Sequence, residues 1–113
     1  MALVRQLGGC IVGSEAKTVS TTVVGLTATK YIKSVQGENL GNVLRANYAF
    51  VTVEDNPVRV QLDPLGTAPD ASSNGHEFAA GDSFIIEGSG VIAGARFIRT
   101  GGTDGVLQVT YFN

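Results

Sequence analysis

Apolar and polar residues alternate along much of the chain, in short runs closed by Gly, Asn, Asp or Pro. The clearest runs are residues 48–53 and 58–62. In the second, Val58, Val60 and Leu62 point one way and Arg59 and Gln61 the other, because successive strand side chains face opposite sides. Between the runs, Glu54-Asp55-Asn56-Pro57 carries turn chemistry. The pattern predicts a β-hairpin with one buried face. A second hairpin is predicted over residues 95–112, turning at residues 101–105. There Leu107, Val109 and Tyr111 form the core face.

Weaker runs complete the picture. Residues 18–24 and 82–87 read as strands. Residues 27–33 alternate as a strand would, and residues 35–42 read as a loop around Gly37, Asn39 and Gly41. No window carries the i, i+3, i+4, i+7 stripe of an amphipathic helix. The expected fold is all-β, an antiparallel β-sandwich or jelly-roll-like barrel of about seven to eight short strands. Residues 1–113 read as one domain, with residues 1–16 as an extended N-terminal arm and residues 3–7 as part of that arm or a first strand.

Composition narrows what such a domain does. Only 16% of its 113 residues are charged, against ~25% in an ordinary soluble domain. An undercharged surface suits a protein packed against a partner. The formal net charge is −2, and the eight Lys and Arg residues form no basic cluster. The footprint of nucleic-acid binding is missing. No apolar run approaches the ~20 residues of a membrane span, and none resembles a signal-peptide core. Met1-Ala2-Leu3 reads as a cytoplasmic start.

Candidate chemistry is sparse. The single cysteine, Cys10, closes no intrachain disulfide and reads as a small buried hydrophobe. One cysteine and one histidine leave little for metal sites or nucleophilic triads. Glu54 and Asp55 belong to a turn. Asp63, Asp70, Glu77 and Asp82 lack calcium-loop spacing, and residues 8–13 match no phosphate-binding glycine motif. The expectation is a protein without catalytic, cofactor-binding or metal residues, and not an enzyme. Residues 63–81 make an unusually long loop, which marks a contact surface. Its candidates are Pro64, Leu65, Pro69, His76 and Phe78. Arg59, Arg96 and Arg99 join them; Arg96 and Arg99, three apart on a strand, face opposite sides.

Several phrases resemble a known group. These are Ala49-Phe50-Val51-Thr52-Val53, Pro57-Val58-Arg59-Val60-Gln61-Leu62-Asp63 and Gly66-Thr67-Ala68-Pro69. Gly75-His76-Glu77-Phe78-Ala79-Ala80-Gly81-Asp82, Ala95-Arg96-Phe97-Ile98-Arg99 and Leu107-Gln108-Val109-Thr110-Tyr111-Phe112 follow. From about residue 46 to 112 the chain resembles small structural proteins of tailed bacteriophages. The resemblance implies a virion component made in the host cytoplasm. The kind it implies is a capsid decoration (cement) protein, a homo-oligomer such as a trimer, bound between major capsid protein subunits. No cofactor, nucleic acid or membrane is implied. The alternative is a tail- or collar-associated module that binds a receptor or carbohydrate. Aromatic content of 7% and the absence of tryptophan argue against sugar stacking.

Overall fold

A computed structural model describes residues 11–34, 43–70 and 74–113. Among these residues strand is the dominant element, and every ladder is antiparallel. The described strands are β1 (Ile11–Val19), β2 (Val24–Gly25), β3 (Ile32–Ser34), β4 (Val43–Arg45), β5 (Tyr48–Glu54), β6 (Val58–Gln61), β7 (His76–Phe78), β8 (Ser83–Glu87), β9 (Arg96–Arg99) and β10 (Gly105–Phe112). Among the described residues two short helices interrupt them, α1 (Ala28–Tyr31) and α2 (Ser89–Gly94).

One sheet runs β1-β10-β5-β8 and the other β2-β9-β6-β7, while β3 and β4 form a separate ribbon. The two orders correspond strand for strand. β1 leads to β2, β5 to β6, β7 to β8 and β9 to β10, each time crossing from one sheet to the other. This is jelly-roll connectivity, and the all-β expectation holds.

Both sheets empty their apolar rows into one core. Ala49, Val51 and Val53 of β5 sit opposite Tyr111, Val109 and Leu107 of β10. From the other sheet come Val58, Val60 and Phe97, with Val60 and Phe97 directly paired. All of these are buried in a single cluster. Among the described residues no polar or charged residue falls in the buried class.

The two expected hairpins are corrected. The runs on either side of residues 54–57 are strands, but β5 pairs with β10 and β8, and β6 with β9 and β7. β9 and β10 likewise lie in different sheets. Alternation fixes which face of a strand is buried, not which strand lies beside it. A hairpin and a crossover both turn their apolar rows inward. Here the rows meet across the core instead of side by side. The two crossovers are tied together: Asn56 Nδ2 donates to the Asp104 carbonyl at 2.9 Å, and Arg99 pairs with Asp104 at 2.6 Å.

Other expectations shift in detail. Ten strands are present among the described residues, because β2, β3, β4 and β7 are two or three residues long. Of residues 1–16, Ile11–Ala16 lie within β1; residues 1–10, Cys10 included, fall outside the described residues. The run 18–24 breaks after Val19. The run 27–33 begins with the helical turn α1, since Thr27 is captured by Glu15 and Tyr31 turns onto Tyr111, ring centroids 5.8 Å apart. The 63–81 loop is divided by β7. Its residues 71–73 fall outside the described residues, as do residues 35–42.

The helix α2 was hidden by its length and its glycines. It opens after Gly88, whose φ is +101°, and buries Ile92. It closes on Gly94, where a Cβ would lie 1.9 Å from the Asp63 carbonyl oxygen. Only glycine admits that approach.

Candidate contact surface

The connection from β6 to β7 leaves the core at Gln61 and returns at His76. Its first turn is organised by Asp63. The carboxylate accepts the Leu65 N–H at 2.8 Å and the Thr67 hydroxyl, and the Asp63 carbonyl accepts the Gly66 N–H at 2.9 Å. This is an aspartate closing a turn on its own backbone. These bonds, the Thr67 hydroxyl first, hold the Asp63 carboxyl below its ordinary pKa.

Arginines brace the connection at both ends. Arg96 Nη1 donates to the Ala93 and Ala95 carbonyls, each at 2.9 Å, closing the end of α2. Its guanidinium lies against Gly66 and Gly25. At the far end, Arg59 Nη1 donates to the Gly75 carbonyl at 3.2 Å. Gly75 has φ +107° and no room for a Cβ, which would meet the Val60 carbonyl at 2.6 Å. Between the braces, Asn74 Nδ2 donates to the Ala68 carbonyl at 2.8 Å, and Pro69 is buried.

The braced turn displays apolar side chains. Leu65 is 91% exposed and Leu62 40%, and Pro64 is exposed beside them. Burying a leucine is worth roughly 1.5–3 kcal/mol, a gain that Leu65 does not take among the described residues.

The remaining candidates lie elsewhere. His76 is exposed on β7. Phe78 stacks on Phe84 with centroids 4.3 Å apart and packs against the core. Arg99 belongs to the paired crossovers. The structure thus brings Arg96 against the turn that carries Pro64 and Leu65, holds Arg59 and Pro69 within the same connection, and leaves His76, Phe78 and Arg99 apart.

Sequence reasoning missed a cavity of about 290 Å³ at the other end of α2. Tyr31, Ile32, Arg45 and Ala46 wall one side, and Ser89, Gly90 and Ala93 the other. Ile32 and Arg45 face each other across the β3–β4 ribbon. No single run could have shown it, because its walls come from three separated segments.

A second polar cluster lies beneath α1. Glu15 accepts the Tyr111 hydroxyl at 2.5 Å, the Thr27 hydroxyl at 2.7 Å and the Thr27 N–H at 3.1 Å. Lys17 Nζ donates to the Thr27 hydroxyl at 3.1 Å. Burial first, then the bond to Glu15, push the Tyr111 phenol far above its ordinary pKa. It stays protonated and donates throughout the working pH range. With its donors and acceptors paired inward, this cluster holds structure together.

Among the described residues no three His, Cys, Asp or Glu side chains gather as metal ligands. No helix among them is long and apolar enough to cross a membrane. Compared with protein-family models, with curated proteins and with solved structures, the chain matches none.

Proposed function

We propose that the chain is a structural protein of a tailed-bacteriophage virion, a capsid decoration (cement) protein that stabilises the head by binding between major capsid protein subunits as a homo-oligomer. The observation that carries this reading is the braced turn that keeps Leu65 in solvent. A binding anchor that is already rigid loses less conformational freedom on docking. An exposed apolar side chain held in place is what a surface-burying partner uses. The phage-like phrases in the sequence support the same role.

The experiment is cosedimentation of the purified chain with expanded heads of the phage that encodes it, alongside mass spectrometry of its purified virions. Saturable binding to heads and presence in virions are expected. A chain absent from virions that also ignores heads overturns the reading. The tail-module alternative gains nothing from the structure, since the Phe78–Phe84 pair that could stack on sugar is packed against the core.

A further inference from the structure

We propose that Asn74 is a self-modification site: the folded chain deamidates there through a succinimide closed by the Gly75 nitrogen, and the product unties the connection between β6 and β7. This goes beyond the virion reading and holds whatever the chain binds.

The reaction needs water and no cofactor. The Gly75 N–H gives its proton to solvent base, and its nitrogen attacks Asn74 Cγ. The Cγ–Nδ2 bond breaks, and Nδ2 takes a proton and leaves as ammonia. Water then opens the ring at either carbonyl, which gives aspartate or isoaspartate at position 74. Asparagine and water have become the acid and ammonia, and nothing is oxidised or reduced.

Sequence and fold both select this position. Asn-Gly occurs once in the chain, at residues 74–75. Glycine has no side chain to shield its nitrogen. Asn74 is exposed, and neither residue lies in a strand or helix. The Gly75 N–H donates to no backbone acceptor among the described residues, so no ladder ties up the nucleophile.

The fold disarms the comparable junctions. Asp104-Gly105 is the one Asp-Gly pair. Its carboxylate is paired with Arg99 at 2.6 Å, which favours the unreactive charged form. Gly105 is buried in β10, opposite Val19. Asn56 precedes Pro57, whose nitrogen carries no proton. Asn47 precedes Tyr48, which β10 and β8 hold from either side.

The same contacts make the change consequential. Asn74 Nδ2 donates to the Ala68 carbonyl at 2.8 Å, and the product carboxylate has no N–H to replace it. Asp70 Oδ1 already accepts the Asn74 backbone N–H at 3.5 Å, so the new negative charge arises beside an existing one and the two repel. Isoaspartate also lengthens the main chain by a methylene. It does so next to Gly75, whose φ is +107° and which sits hard against the Val60 carbonyl. The bond that is lost holds Ala68, the neighbour of buried Pro69.

The full chain is incubated in mildly alkaline buffer, folded and, in parallel, in urea, until the unfolded sample has converted at Asn74. Peptide mapping by mass spectrometry reads the position, and labelling with an isoaspartate methyltransferase reads the isomer. In the folded sample Asn74 is expected to convert at least about tenfold faster than Asp104 or any other asparagine, a barrier lower by about 1.4 kcal/mol. Asn74→Gln is expected to lose the conversion, with circular dichroism confirming that it folds. The converted chain and Asn74→Asp are both expected to shift the Ala68 carbonyl carbon signal in NMR. A folded chain still intact at Asn74 when the unfolded sample has converted overturns the site, as does another residue that converts first. An Ala68 signal that stays in place after conversion overturns the untying of the connection. None of these outcomes bears on binding to heads, so the virion reading fails or stands separately.

Discussion

Glu15 and Asp63 each gather donors from a neighbouring stretch of backbone and side chain, at different depths. Glu15 takes the hydroxyl of fully buried Tyr111 and both donors of Thr27. Asp63 takes Leu65 N–H and the Thr67 hydroxyl in an exposed turn. The first carboxylate fastens α1 onto the main sheet. The second leaves an apolar side chain standing in water. The same side-chain chemistry gives cohesion where its partners face the core, and display where they face solvent.

The largest expected effect breaks the cohesive cluster. Glu15→Ala leaves the Tyr111 hydroxyl buried with no acceptor, and an unmet buried donor costs ~1–3 kcal/mol. With the Thr27 bonds also gone, the loss is expected on the order of 3 kcal/mol, a drop of roughly 10 °C in melting temperature. Adding Tyr111→Phe removes the orphaned hydroxyl and should recover part of that loss. A double-mutant cycle measures the coupling. If the two losses simply add, the pair does not act as a unit.

Next comes the joint between the two regions. Gly94→Ala sets a methyl against the Asp63 carbonyl. Overpacking of this kind costs about 1–3 kcal/mol. The strain should reach the turn, so the Leu65 amide signal should shift in two-dimensional NMR. A change confined to α2 would mean that the turn stands on its own.

How much of this was legible in the sequence follows the same divide. The apolar rows at 49–53, 58–60 and 107–111 were plain, because burial imposes a period of two. Their pairing was not, because a row looks the same whether its partner lies beside it or across the core. α1 escaped notice because Glu15, twelve residues away, sets the course of Thr27. Pro64 and Leu65 stood out as part of a long loop. The cavity could not, since Arg45 and Ala93 meet only after folding.

A smaller effect tests the paired crossovers. Arg99 and Asp104 are partly exposed, 24% and 45%, and such pairs contribute ~0.2–1 kcal/mol. Arg99→Ala is expected to cost about 0.5 kcal/mol or less in urea titration. A loss several times larger would show that the crossover end, like the Glu15 cluster, is a fastening point for the whole fold.

The smallest effect isolates the display turn. An aspartate ordinarily titrates near about 3.9, and Asp63 is held lower by Thr67 and then by Leu65. A carboxyl whose pKa is lower in the folded chain adds stability above the unfolded value, and that contribution fades as pH falls through the folded value. The turn is therefore expected to stay closed at pH 7 and pH 5 and to loosen only below about pH 4. Following the Leu65 amide by NMR from neutral to acid pH reads this directly. Its signal should move with the Asp63 titration, and Asp63→Ala should abolish that movement while leaving the Glu15 cluster unchanged. If the amide ignores Asp63, the carboxylate does not shape the turn, and the contrast with Glu15 reduces to burial alone.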